Sequence, residues 1–336
     1  MFDMPKLLRE LAVLAPAKVN LHLAVKEKRP DGFHAIESVF MALDWGDTLF
    51  FQRQHLENDE LLMLRYDASS AYDTGQTEIG QKAELFSIPD NIILRALALF
   101  REKTGFSHKL KITVEKRIPL GGGLGGGSSD AAAALLALNK IAGSPLGKDA
   151  LLEMGAALGS DVPFFLHETP AAFVTGRGEH IEPLDVPLMH LVLVNPGFPS
   201  NTARAYRLLD EYRETKEAHT ETQRHKEDLN EAHWGAISAG FSSSVPTVPS
   251  CSSCLSVKNF YNDFLPVFRE REKCVYNKII CKLKELGAVF AGLSGAGSTC
   301  FGVFAEKEQA RKAADALFGR WDFVCCAGNF IERSDF

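Results

Sequence analysis

The sequence predicts an α+β protein of two packed domains, and three observations carry that reading. At 336 residues the chain is too long for one ordinary core. Its first third alternates apolar and polar residues with the strand period, at residues 15–25 and again at 109–116. Helical patterns and short apolar strands then interleave, and the character of the chain changes near Val186. An N-terminal domain over 1–185 and a C-terminal domain over 186–336 follow.

In residues 15–25, Ala17, Val19, Leu21 and Leu23 fall on one side and Lys18, Asn20 and His22 on the other, the pattern of a half-buried strand. Arg29-Pro30-Asp31-Gly32 is a turn, because proline presets φ and glycine accepts the conformation that follows. Phe33 and His34 open a return strand toward Phe40, which gathers Lys18, Asn20, Phe33 and His34 near the end of a hairpin. Residues 53–88 are polar and weakly patterned and read as loops around short strands. A helix is expected over 91–103, with Asp90 as its N-cap and Gly105 past its end. An alanine-rich helix runs from about 129 to 141 and stops at Gly143. A shorter one over 151–158 ends at Gly159, and Asp161 with Pro163 begins another. Residues 191–194 read as a buried strand before the turn Asn195-Pro196-Gly197. Residues 214–258 are charged and then rich in Ser, Pro and Val; without periodicity, they read as a flexible insertion. A helix over 276–286, strands at 288–293 and 299–304, a helix over 307–318 and a last strand from 322 complete the chain.

Composition narrows the function. Hydrophobic residues make up 46% and charged residues 24%, as in a folded globular protein. The net charge of −6, with no dense Lys/Arg run, argues against a nucleic-acid partner. No apolar stretch reaches the roughly 18–20 residues of a membrane helix, and the N-terminus lacks signal-peptide character, so a cytoplasmic protein is expected, as monomer or homodimer. Seven irregularly spaced cysteines suit reduced thiols. Cys251 and Cys254 form a C-x-x-C that lacks the second pair of a structural zinc site.

The richest chemical signal is Pro119-Leu120-Gly121-Gly122-Gly123-Leu124-Gly125-Gly126-Gly127-Ser128-Ser129-Asp130. Such a run exposes backbone N–H groups and leads into a helix N-terminus, which favours anions, so it points to phosphate. Residues 121–126 match G-x-G-x-x-G, but the strand before them alternates, whereas the first strand of a dinucleotide fold is buried on both faces. A Walker A loop needs a Lys here, and none is present.

This segment resembles the second motif of the GHMP kinases. Ala15-Pro16-Ala17-Lys18-Val19-Asn20-Leu21 resembles their first motif and Leu293-Ser294-Gly295-Ala296-Gly297-Ser298-Thr299 their third. Lys18-Val19-Asn20-Leu21, Asp31-Gly32-Phe33-His34, Leu158-Gly159-Ser160-Asp161-Val162-Pro163-Phe164-Phe165 and Asn262-Asp263-Phe264 resemble one branch of that family, whose substrate carries a cytidine diphosphate group. The resemblance implies a two-domain GHMP kinase fold, its N-terminal domain a β-rich α/β unit and its C-terminal domain ferredoxin-like. It implies transfer of the ATP γ-phosphate to the 2-hydroxyl of a methylerythritol unit in non-mevalonate isoprenoid synthesis. A homoserine- or mevalonate-type alcohol is the alternative substrate, and a non-catalytic nucleotide-binding module the alternative class.

By the same resemblance, Asp161 is the general base and Lys18 contacts it or the transferring phosphoryl group. Asn20 orients the substrate, Phe33 stacks on cytosine and His34 hydrogen-bonds it. Asn91, Pro119, Leu120, Gly121, Gly122, Gly123, Leu124, Gly125, Gly126, Gly127, Ser128 and Ser129 bind ATP. Ser294, Gly295, Ala296 and Gly297 close on the phosphates or the substrate. Mg²⁺ is expected with ATP, with no ligand assigned. Position 33 holds Phe where the family usually has Tyr, which keeps the stacking face and loses the hydroxyl. On the residues alone, Asp161 reads first as a helix N-cap, Ser128 and Ser129 as capping residues, and His34 as a hairpin residue.

Overall fold

A computed structural model describes residues 10–53, 58–65, 84–86, 90–220 and 260–329. Strands β1 (Glu10–Lys28) and β2 (His34–Arg53) form a long antiparallel hairpin. Its turn is the expected one: Gly32 adopts φ 83°, and Asp31 accepts a hydrogen bond from the Phe33 N–H at 3.1 Å. After α1 (Ile92–Thr104) comes β5 (Leu110–Lys116), which pairs with the second half of β2. The first half of β2 pairs with β6 (Ala171–Gly176), itself followed by β7 (His180–Pro183). Beyond β5 lie β3 (Glu60–Arg65), parallel to it, and β4 (Glu84–Phe86). Helix α2 (Gly126–Ile141) packs on β1 and β2, with α1, α3 (Lys148–Leu158) and α4 (Val162–Leu166) around it.

The second sheet has the order β11 (Phe323–Gly328), β8 (His190–Asn195), β10 (Cys300–Phe304), β9 (Phe290–Leu293), antiparallel throughout. Helices α6 (Glu270–Glu285) and α7 (Lys307–Leu317) pack on it, and α5 (Thr202–Thr220) follows β8. Sequence order against sheet order is the ferredoxin-like arrangement. The chain passes from one sheet to the other between β7 and β8.

The structure corrects the strand reading at residues 15–25. Lys18 and Asn20 are as buried as Val19, because β1 is sandwiched: Ala17, Val19 and Leu21 share an apolar layer with Leu191, Leu193 and Phe301 of the second sheet, while α2 covers the other side. An irregularity in register between Asn20 and His22 then reverses the phase, so Leu23 and Val25 join the helix-side core instead of the face of Leu21. Lys18 and Asn20 consequently lie in mid-strand, opposite Ala42 and Phe40, and not at the hairpin end with Phe33 and His34.

Other corrections are local. Asn91, not Asp90, caps α1, its side chain accepting from the Ile93 N–H at 2.9 Å while Asp90 sits at φ 51°. Helix α2 begins at Gly126, three residues early: glycine's poor propensity yields to a start set by Gly125 at φ 71°. Helix α6 begins at Glu270, six residues early, on a polar first turn whose Glu270 and Glu272 suit the helix dipole. Residues 214–220 continue α5 as helix, and the remainder of the expected insertion, with Cys251 and Cys254, lies outside the described residues.

Candidate active site

Strand β1 brings Lys18 and Asn20 to a cleft of about 1070 Å³ lined from both halves of the chain. The Lys18 ammonium donates to Asn20 Oδ1 at 2.7 Å and stands 3.4 Å from Asp161 Oδ2, with the Phe40 ring 4.3 Å beneath it. Asn20 Nδ2 donates to Ser38 Oγ at 3.0 Å, which fixes the orientation of the amide. Asp161 holds the N-cap position of α4, yet its side chain makes no capping bond. The N-cap reading from sequence is therefore right for the backbone and wrong for the carboxylate, which faces Lys18.

The glycine run has two functions in the structure. Its first part approaches the protein's own backbone: a Cβ on Gly123, at φ 76°, would meet the Ser294 carbonyl oxygen at 2.2 Å. Gly121 and Gly122 accept from the N–H groups of Ser200 and Thr299. Its second part faces the cleft. No side chain caps α2 at Gly125, and a Cβ on Gly127 would meet nothing within 4 Å. The first-turn N–H groups of α2 thus open on a cleft that Gly125, Gly126, Gly127 and Ser128 line, together with Pro119, Leu120 and Leu124.

Three expected residues stand apart from the cleft. Ser129 is fully buried on the far side of α2, facing a second cavity. Of the third-motif loop, Gly295 and Ala296 line the cleft but Ser294 and Gly297 do not. Ser294 is a brace: its hydroxyl donates to the Gly123 carbonyl at 2.9 Å and accepts from the Asn20 N–H at 3.3 Å. Asn262 holds the same loop, its amide donating to the carbonyls of Leu293 and Gly295 at 2.8 Å each. Asn91 lines the cleft, but its side chain is engaged in the α1 cap and with Met63 Sδ.

At the other end of the cleft, Phe33 is 53% exposed, with the Arg177 guanidinium 5.0 Å from its ring centroid. His34 is buried, donates from Nε2 to Asp210 Oδ1 at 2.7 Å and stacks on Tyr206 at 5.1 Å. Burial first, and then the charge of Asp161, push the Tyr206 phenol up to about 12.

Below the glycine run lies an ion triad that the sequence reading did not contain. Lys116, at the end of β5, bonds Asp47 of β2 and Asp130 of α2, the latter at 2.7 Å. Asp47 also accepts from the N–H groups of Arg117 and Ile118. Burial alone would lower the Lys116 ammonium, but the two carboxylates together hold it above its usual range. Burial, with Asp47 close by, raises the Asp130 carboxyl to about 8, and Asp130 Oδ1 has no partner.

The sequence profile of the GHMP kinases N terminal domain matches residues 91–169, and that of the GHMP kinases C terminal domain matches 266–322. The 4-diphosphocytidyl-2-C-methyl-D-erythritol kinase of Thermodesulfovibrio yellowstonii is 34% identical over 315 residues, 93% of this chain and 95% of that one. The enzyme of that name from Parvibaculum lavamentivorans is 34% identical over 321 residues, covering 94% and 97%. The chain belongs to the 4-diphosphocytidyl-2-C-methyl-D-erythritol kinase family of GHMP kinases. The crystal structure of a 4-(cytidine 5'-diphospho)-2C-methyl-D-erythritol kinase matches this GHMP kinase with a TM-score of 0.67 at 27% identity, over 96% of this chain and all of the other. A homoserine kinase from Cytophaga hutchinsonii shares the fold, with a TM-score of 0.58 at 16% identity and 98% of each chain covered.

Tyr206, Asp210, Arg177 and the Lys116 triad of this GHMP kinase escaped sequence reading because each acts at long range. Tyr206 and Asp210 lie on a helix more than 170 residues from His34, and nothing local in the sequence marks them. Lys116 was legible only as the last polar residue of an alternating strand.

Proposed function

We propose that this kinase transfers the γ-phosphate of ATP to the 2-hydroxyl of 4-diphosphocytidyl-2-C-methyl-D-erythritol, in the cleft between α2 and the Phe33–Tyr206 end. The observation that carries it is the Asp161 carboxylate, left uncapped at a helix start and set 3.4 Å from Lys18 between the two ends of the cleft.

In this reading the triphosphate lies along the uncapped first turn of α2, where N–H groups and the helix dipole receive anionic charge. The cytosine stacks on Phe33 beside Tyr206, and His34, oriented by Asp210, reads its edge. Asn20 orients the acceptor, Asp161 takes the hydroxyl proton, and Lys18 holds the Asp161 carboxylate in place while meeting the charge of the phosphoryl group. Because phosphoryl transfer proceeds through a loose transition state, most of the rate comes from positioning and charge.

Magnesium fits this donor set. Among the described residues no cluster of three or more His, Cys, Asp or Glu could hold a metal, but Mg²⁺ bound with nucleotide needs only one or two protein oxygens beside phosphates and water. Ser128, lining the cleft, and Asp130, whose Oδ1 lacks a partner, would supply them. Held there, the ion would offset the negative charge of the phosphates. Among the described residues no helix is long and apolar enough to cross a membrane, and every described cysteine is a free thiol. Both fit a cytoplasmic enzyme.

The test is ADP release with a panel of acceptors. Turnover of the cytidyl substrate is expected. Phosphorylation of homoserine or mevalonate, with none of the cytidyl compound, would overturn the assignment.

A further inference from the structure

Five Lys and Arg side chains line the cleft, and four of them face a carboxylate. Lys18 stands by Asp161, Lys28 lies 3.8 Å from Asp210, Lys116 bonds Asp47 and Asp130, and Arg207 lies 3.8 Å from Glu211. Arg177 is the exception. Among the described residues its guanidinium has no ion pair and no hydrogen bond, and it rests on the Phe33 ring, 5.0 Å from the centroid. A ring face attracts a cation through its quadrupole but occupies none of the N–H donors, which lie in the guanidinium plane. Arg177 therefore brings a half-buried positive charge and an open fork of donors to the cleft wall. Such a fork matches the oxygens of a phosphate.

The place of Arg177 in the cleft selects which phosphate. It sits in the turn between β6 and β7, and that turn is seated on the residue before Asp161: a Cβ on Gly178 would meet the Ser160 carbonyl oxygen at 2.9 Å. Glu179 accepts from the Arg177 backbone N–H and lies 3.8 Å from Arg29, which ties the same turn to the hairpin turn that carries Phe33. Arg177 thus links the Phe33 end of the cleft to the Ser160–Asp161 segment. A cytidyl substrate has the same order along its length: cytosine, then diphosphate, then the alcohol to be phosphorylated. We propose that Arg177 binds the diphosphate of the acceptor substrate, its N–H donors pairing with phosphate oxygens while the start of α2 receives the phosphates of the nucleotide. The contact discriminates against an alcohol that carries no diphosphate. This assignment rests on the proposed cytidyl substrate and gives one of its groups to one side chain.

Calorimetry on the full chain with cytidine 5'-diphosphate, cytidine and ADP separates the possibilities. The wild type is expected to bind cytidine 5'-diphosphate more tightly than cytidine. Arg177→Met keeps the length of the side chain and removes its charge. It is expected to weaken cytidine 5'-diphosphate about tenfold or more, the worth of a charge-assisted contact, and to leave cytidine and ADP within about twofold. Arg177→Lys, which keeps the charge and loses the fork, is expected to recover part of that loss. In turnover, Arg177→Met is expected to raise KM for the cytidyl substrate and to leave KM for ATP unchanged. Equal weakening of cytidine and cytidine 5'-diphosphate, equal weakening of ADP, or unchanged binding of cytidine 5'-diphosphate would overturn the assignment of Arg177 and leave the cytidyl substrate standing. Failure of the wild type to bind cytidine 5'-diphosphate would sink the cytidyl reading itself, and this assignment with it.

Discussion

The Lys18 ammonium stands 3.4 Å from Asp161 and 2.7 Å from the Asn20 amide oxygen, and these bonds hold two side chains from distant parts of the sequence in one geometry. Asp161→Asn keeps the shape and loses the base. It should lower kcat by about 10²–10⁴ while KM for ATP stays within a fewfold, read as ADP release. Full turnover by the variant would exclude Asp161 as the base.

The Phe33–Tyr206 end should act on one substrate alone. Tyr206→Ala removes the ring stacked on His34 and should raise KM for the cytidyl substrate about tenfold or more, leaving KM for ATP unchanged. Phe33→Tyr keeps the stacking face and should change KM for the cytidyl substrate by less than about threefold. A steady-state matrix of the two substrates checks both.

Gly123 and Gly127, four residues apart in sequence, should respond differently. Gly123→Ala places a Cβ against the Ser294 carbonyl at a positive φ and should destabilise the fold by about 2 kcal/mol or more in urea denaturation. Gly127→Ala has open space and should fold normally, its effect confined to nucleotide affinity.

The ion triad gives a pH signature. Burial raises the Asp130 carboxyl to about 8 in the folded chain, well above the ordinary carboxylate range it has in the unfolded chain. Between those values the folded state binds the extra proton, so this group's contribution to stability falls as pH rises toward about 8 and levels off above it. Asp130→Asn should flatten that slope in thermal melts between pH 6 and 9. Lys116→Met leaves the buried Asp47 carboxylate without its cation and should cost about 3–5 kcal/mol at neutral pH.

Much of this was legible in the sequence. The alternation at 109–116 marked β5 correctly, and its pattern of burial is the one-sided one that argued against a dinucleotide fold. The glycine run and the Pro30–Gly32 turn were readable because each depends on local dihedrals, whereas the ferredoxin-like tail was expected only from the resemblance of the motifs. What escaped depends on partners far along the chain. The burial of Lys18 required knowing that the glycine run and the helices around α2 close over its face of β1, and Ser129 was indistinguishable from Ser128 until the helix phase turned one to the cleft and the other away. Ser294 read as a residue that meets the ligand, and the structure makes it a residue that meets Gly123.

That last contact carries a consequence for how such enzymes can be recombined. The Ser294 hydroxyl joins the Gly123 carbonyl to the Asn20 N–H, and the Thr299 N–H reaches the Gly122 carbonyl, so the shape of the nucleotide loop is written partly in the other half of the chain. A chimera that takes residues 119–127 from one relative and 293–299 from another would inherit two surfaces selected apart. Exchanging both segments together is the graft that should preserve the site.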